Sequence, residues 1–357
     1  MPTTLVAVFS CGFRRISQTV LIGILCAIPA AAAHKFVSFD VPGAALTYPA
    51  AINASGEVAG IYRDSVYAYH GFIREPNGAI TSFDIASAQG EVAVTGINGS
   101  GQIAGWYLVG SSNTSHGFLR DHNGTITIID EPSGVGTTSV FGLNDLGELA
   151  GTYWVPTGPF TFDTYSFIRD QNGVCTSFRD QASTSTTVAA INSSGQVAGS
   201  FGGFLKGHGF VRDQYGKLAS YDPPNTNGDT FAFAINKSGQ VTGYYVDNGI
   251  RAFHGYVRNW SGGITEFDAP GAGTSLFTGT LALSINDAGQ VTGYTIDNSL
   301  AWKSFVRDAS GGIMTFNAPK AGTTGYHGTQ ASSINASGTV TGSYTDANGV
   351  AHGFVRF

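Results

Sequence analysis

The chain reads as a succession of short alternating apolar and polar runs, such as Ile264-Thr265-Glu266-Phe267-Asp268, cut at close intervals by turns of the Asn/Asp-x-x-Gly kind. An alternation of period two sends one set of side chains to a buried face and the other to solvent, which predicts strands of antiparallel sheets. The pattern is itself repeated. An Ile-Asn or Leu-Asn pair recurs at Ile52-Asn53, Ile97-Asn98, Leu143-Asn144, Ile191-Asn192, Ile235-Asn236, Ile285-Asn286 and Ile334-Asn335, with spacings of 44 to 50 residues. Seven copies of one supersecondary unit are therefore expected.

Each copy predicts four strands. The first ends at the Ile/Leu-Asn pair and is followed by a turn such as Asn53-Ala54-Ser55-Gly56, where Asn first and Gly fourth suit a type I turn with a left-handed glycine. The second is of the type Gln240 to Tyr245, the third of the type His208 to Arg212, and after a turn such as Asp121-His122-Asn123-Gly124 comes a fourth like Ile264 to Asp268. The seventh copy reaches Phe357 without a fourth strand, whereas a run of that type, His34-Lys35-Phe36-Val37-Ser38-Phe39-Asp40, precedes the first copy. The expected fold is therefore all-β, a seven-bladed β-propeller with four antiparallel strands per blade, its N-terminal strand completing the C-terminal blade and removing an open edge. The expected blades are 49–84, 94–130, 140–180, 188–222, 232–268, 282–317, and 331–357 joined by 35–40. A parallel β-helix is the rival architecture, but its coils are shorter and need atypical caps at both ends. No helix is expected after residue 33.

The first 33 residues are expected to lie outside this domain. Arg14 and Arg15 precede an apolar run, Val20 to Ala33, that ends in Ala31-Ala32-Ala33, and this reads as a secretory signal peptide. The run is too short and Ala-rich for a membrane span. Ile16-Ser17-Gln18 fits a twin-arginine signal poorly, and bulky Leu25 before Cys26 is unlike a lipoprotein site. An exported chain is expected, secreted or kept in the periplasm or cell envelope, monomeric by default and without a span after residue 33. Cys11 and Cys26 fall in the signal, so Cys175 has no disulfide partner and stability must come from core burial. Beyond residue 33, 16 Lys and Arg against 24 Asp and Glu give a net charge of −8. No basic run appears, which argues against nucleic acid as a partner. With 50 glycines and 12% charged residues, the composition is that of a turn-rich all-β protein.

Every copy carries an arginine at one position of the third strand: Arg74, Arg120, Arg169, Arg212, Arg258, Arg307 and Arg356, seven of the ten arginines beyond residue 33. Such regularity predicts a buried residue with a partner. The expected partner is the acid ending the fourth strand, Asp84, Asp130, Asp222, Asp268, and Asp40 for the closing blade, with Asp180 one place late in blade three and Asn317 in blade six. Arg212→Met is then expected to strand Asp222 and lower stability markedly. A ring of anion-binding arginines is the competing reading, although the third strand of a blade lies away from the axis. His70, His116, His208, His254 and His352 open the third strand in five copies, Tyr165-Ser166 and Lys303-Ser304 standing there in the others. Equivalent histidines on separate blades are expected to be hydrogen-bonded structural residues, so no metal and no cofactor is expected. The second-strand aromatics Tyr62, Tyr107, Tyr153, Phe201, Tyr245 and Tyr344 are expected in the interblade core. The Asp-x-Asn-Gly turns lack the further carboxylates of a calcium loop.

The pattern Ile-Asn-x-x-Gly-Gln-Val-x-Gly followed by His-Gly-Phe-x-Arg resembles the extracellular HAF-repeat family of bacterial proteins, over essentially all of residues 34–357. Glycine (Gly71, Gly117, Gly209, Gly255, Gly353) stands where the family's His-Ala-Phe triplet has alanine. The resemblance implies an exported bacterial repeat protein and implies no chemistry.

Repeated positions build the scaffold, so function is expected where copies differ. The connections from second to third strand, and from a fourth strand to the next blade, vary in length and open on one face of a propeller. They carry Tyr67, Tyr69, Trp154, Phe160, Phe162, Lys206, Arg251, Trp302, Lys303, Tyr326 and His327. An aromatic-rich loop face predicts a binding or interaction scaffold for a glycan, peptide or envelope component. The second reading is a propeller-based polysaccharide lyase or hydrolase, for which His327, Asp163, Asp229 and Glu131 are candidates by position alone. No Ser-His-Asp order, zinc spacing or P-loop is present. A structural or adhesive surface role is the third.

Overall fold

The computed structural model describes residues 35–88, 91–110, 114–131, 137–159, 161–202 and 207–357. The expected signal peptide, residues 1–33, lies outside them, as do Phe160 and Lys206. The described residues form 28 strands and no α-helix.

The alternating runs pair as hairpins in sequence order. In the first repeat Ala44–Ile52, Val58–Asp64, Tyr69–Arg74 and Ile80–Phe83 make one antiparallel sheet. The next three repeats build the same meander over residues 92–129, 138–178 and 186–221. The last three repeats do so as well, and parallel bridges Phe253↔Gly279 and Trp302↔Gly328 join them into one twelve-stranded sheet. Isolated bridges Ser115↔Thr137, Thr164↔Ser185 and Gly207↔Asp229 place a like contact at three earlier junctions. The strand Phe36–Phe39 pairs antiparallel with Ala351–Arg356, Phe36 opposite Arg356 and Phe39 opposite Gly353.

The core sits between successive sheets, as where Ala59 and Ile85 of the first repeat pack with Val92, Ile103, Tyr107 and Phe118 of the second. The third-strand aromatic (Phe72, Phe118, Phe167, Phe210, Tyr256, Phe305 and Phe354) is fully buried in all seven copies. The glycine of the His-Gly-Phe triplet makes room for a different ring. A Cβ on Gly71 would come within 2.2 Å of the Phe83 ring, which ends the fourth strand of the same sheet. The arginine of the next repeat then lies over that ring: Arg120 is 5.1 Å from the Phe83 centroid, Arg212 is 4.8 Å from Phe178, and Arg356 is 4.5 Å from Phe316.

This corrects the expected Arg–Asp pairing. The third and fourth strands are antiparallel with Gly71 opposite Phe83 and Arg74 opposite Ile80, so the arginine stands at the beginning of the fourth strand and the acid beyond its end. The acid faces the histidine instead. Histidine Nδ1 meets the carboxylate at 2.6 Å for His70–Asp84, 2.7 Å for His116–Asp130, 2.6 Å for His208–Asp222, 3.0 Å for His254–Asp268 and 2.9 Å for His352–Asp40. The arginine Nη1 donates to the carbonyl of the following residue, as from Arg74 to Glu75 at 3.2 Å. The third repeat exchanges the pair as a unit. Arg179, not Asp180, occupies the acid's place, stacks 4.8 Å over Tyr165 in the histidine's place, and pairs with Asp163. Asp180 caps a turn, its Oδ1 accepting from the Ala182 N–H.

The asparagine closing each first strand does more than turn the chain. Its Oδ1 accepts the backbone N–H four residues on, as Asn192 does from Gln196 at 3.0 Å, and its Nδ2 donates to the carbonyl of the next repeat's asparagine. The steps run Asn53 to Asn98, then to Asn144, Asn192, Asn236, Asn286 and Asn335, and the seventh returns from Asn335 to Asn53 at 3.0 Å. All seven asparagines are buried.

Candidate functional site

Each first strand carries a β-bulge at the same place in all seven repeats: the register shifts between Pro49 and Ala51, Val94 and Gly96, Val140 and Gly142, Val188 and Ala190, Ala232 and Ala234, Ala282 and Ser284, and Ala331 and Ser333. A bulge sets two residues against one and turns the extra residue out of the ladder. The extra residues are Ala50, Thr95, Phe141, Ala189, Phe233, Leu283 and Ser332, and all seven line one cavity of about 750 Å³. That volume lies within the roughly 300–1,000 Å³ of small-molecule sites. Phe141, Phe233 and Leu283 supply bulk, whereas Ala50 and Ala189 leave space. The cavity continues along the first strands of repeats four and five, past Val188 and Phe231, to Ser185 and Asp229.

Most of the wall is apolar, and several of its polar groups are already engaged. Thr95 Oγ1 donates to the Val140 carbonyl, Ser200 Oγ to Thr230, and Ser332 Oγ to Pro49. Among the described residues that line the cavity Asp229 is the charged one, and it is only 8% exposed. Its Oδ2 lies 3.5 Å from Arg251 Nη2. Arg251 holds a left-handed backbone, φ 64°, with its guanidinium 5.9 Å from the Phe277 ring. Tyr244 packs against Phe231 at 5.1 Å and Phe233 at 5.3 Å. Burial, with Tyr294 and Asp229 beside it, pushes its phenol up to about 12.

The residues expected on the loop face fall into separate groups. Tyr67, with φ 70°, lies under Arg63 at 4.9 Å, and with Tyr69, His70 and Asp84 lines a different cleft of about 570 Å³. Trp154 packs on Phe162 at 5.6 Å across the long hairpin Leu149–Gly158 and Thr161–Arg169. Trp302 meets Tyr326 at 6.3 Å and Tyr294 at 6.5 Å, while Lys303 is exposed opposite Thr295. Among the described ones, Arg251 reaches a residue of the bulge-lined cavity, Asp229. Of the catalytic candidates, Asp163 pairs with Arg179, Glu131 accepts from Ser177 Oγ, and His327 contributes its carbonyl to the Trp302 N–H. No group of three or more His, Cys, Asp or Glu side chains among the described residues is placed to hold a metal ion.

The seven bulge residues lie in strands, not in the variable loops where function is expected from the sequence. Their signal is variation inside a repeated strand: two places before the Ile/Leu-Asn pair the copies read Ala, Thr, Phe, Ala, Phe, Leu and Ser.

No family model matches the chain, and no curated protein sequence matches it. Solved structures do resemble it. Catalytically inactive virginiamycin B lyase from Staphylococcus aureus with quinupristin superposes with a TM-score of 0.58 at 12% identity, over 91% of this chain and 100% of that one. A streptogramin B lyase gives 0.56 at 13% identity, over 90% and 97%. The β-propeller domain of the Trilobed protease from Pyrococcus furiosus, described by its open velcro topology, gives 0.57 at 13% identity, over 88% and 94%. At such identities the likeness is one of fold, and the fold is a β-propeller.

Proposed function

We propose that this protein is an exported binding module, a closed seven-bladed propeller of the HAF-repeat type that holds its ligand in the axial cavity. Closure is supported by the pairing of Phe36–Phe39 with Ala351–Arg356 and by the asparagine chain that starts and ends at Asn53. Export is supported by Arg14-Arg15 and the apolar run to Ala33. The observation that carries the reading is the cavity itself. Seven bulged residues, one from each inner strand, converge on it with side chains that differ in size and polarity. A scaffold position repeats its residue, whereas these seven vary as the wall of a shaped site does. The loop aromatics favour this location indirectly, because Trp154, Trp302, Tyr326 and Phe162 pack on one another in separate groups.

Retention on an array of peptides and apolar small molecules tests the site. Ala189→Trp, which puts an indole into the cavity, is expected to abolish retention while the Trp154→Ala/Trp302→Ala double variant keeps it. Retention unchanged by Ala189→Trp and lost in the double variant would move the site to the loops.

A further inference from the structure

We infer that the axial cavity takes a largely apolar, uncharged molecule carrying one hydrogen-bond donor, and that Asp229 receives that donor. The inference rests on the axial-cavity reading above. The body of the ligand follows from the wall. Phe141, Phe231, Phe233 and Leu283 face the space and reward apolar surface, preferably planar rings that can pack against phenylalanine. The hydroxyls of Thr95, Ser200 and Ser332 are bound to carbonyls, so they add little for a polar ligand to meet.

Asp229 differs from them. It sits 92% buried in the wall, and its ionic contact with Arg251 spans 3.5 Å, long for a charge-assisted hydrogen bond. A carboxylate offers about four acceptor sites, so a buried one in this setting has capacity for a donor from the ligand. Arg251 balances its charge, which is why the ligand need bring no charge of its own. A hydroxyl, an amide N–H or an aryl amine N–H would each serve. An ammonium group would compete with Arg251.

A matched pair of probes tests this on the full chain. N-phenyl-1-naphthylamine carries a single N–H donor, and 1-benzylnaphthalene has a methylene in its place. The wild type is expected to bind the amine saturably and at least about tenfold more tightly than the hydrocarbon, the difference of one charge-assisted hydrogen bond. The Asp229→Leu/Arg251→Leu variant removes both partners so that neither charge is stranded, and it is expected to bind the two probes equally. Ala189→Trp, with Ser332→Trp as a second blocking variant, is expected to bind neither. Equal affinities in the wild type, or a preference that survives in the double leucine variant, would overturn the role of Asp229 and leave the cavity standing. Binding of either probe that both tryptophan variants leave intact, or no binding by the wild type, would overturn the cavity reading together with the inference.

Discussion

Asparagine at the end of each first strand is the residue this architecture can least exchange. A turn at that place would accept Asp or Ser as well, but an amide has separate atoms to accept the N–H four residues on and to donate to the neighbouring repeat, whereas a carboxylate has no donor and a hydroxyl a single oxygen for both. Asn192→Asp is therefore expected to cost at least about 1–3 kcal/mol, the penalty for leaving the buried Asn236 carbonyl without its donor. Asp213→Asn, in the outer turn where Oδ1 only accepts from the N–H groups of Tyr215 and Lys217, is expected to be nearly neutral. Urea unfolding of the two variants checks the contrast, and equal effects would refute it. Arg212→Met is the companion case. Its guanidinium lies over Phe178, and Asp222 keeps His208 and Thr230 as partners, so a loss of about 0.5–2 kcal/mol is expected, the range for a cation–π contact. A stranded buried carboxylate would have cost about 3–5 kcal/mol. The identity of Asn in all seven copies was visible in the sequence; what was not visible was the neighbouring repeat's carbonyl, because a local turn rule already accounted for the residue.

The pairing of third with fourth strand decides what the histidines do. Protonated His254 is favoured by its hydrogen bond to Asp268, against burial and with help from Asp247, so its pKa is raised. For His70, burial works against the charge, but hydrogen bonds to Asp84 and Asp64 together outweigh it and its pKa is raised too. A folded-state value above the ordinary one of about 6.5 means the folded state binds the proton more tightly. The stabilisation is full below that ordinary value and is lost as pH rises through the raised ones. The urea midpoint is therefore expected to fall between pH 6 and 8, and the His70→Gln/His254→Gln variant is expected to flatten that slope. A wild-type midpoint that is level or rises over the range would contradict it. The sequence already holds this pairing: antiparallel register alone puts Asp84 across from His70 rather than Arg74. The bulges were less accessible, since an extra residue in one strand is defined against its partner, and its only trace in the strand is a break in alternation, with buried Val188 and Ile191 standing three apart.

For the molecule as a whole, the repeat period, the hairpin order and the all-β class could be read from residues such as Ile-Asn and His-Gly-Phe, because each is a local pattern copied seven times. The cavity could not, since it is made from positions that meet only when the first strands of all seven repeats come together, Ser332 against Pro49 among them. Everything assigned to that cavity depends on the proposed ring being complete, and the strand Phe36–Phe39 is where completion is decided. Its residues pair with Ala351–Arg356, and the Phe357 N–H donates to the Lys35 carbonyl at 2.9 Å. Hydrogen exchange followed by mass spectrometry measures this directly, because amides locked in a closed sheet exchange only when the sheet itself opens. The account predicts that amides of residues 36–39 exchange as slowly as those of 351–356, both limited by unfolding of the whole domain. Exchange of 36–39 at the rate of an unpaired segment, with 351–356 still protected, would contradict it.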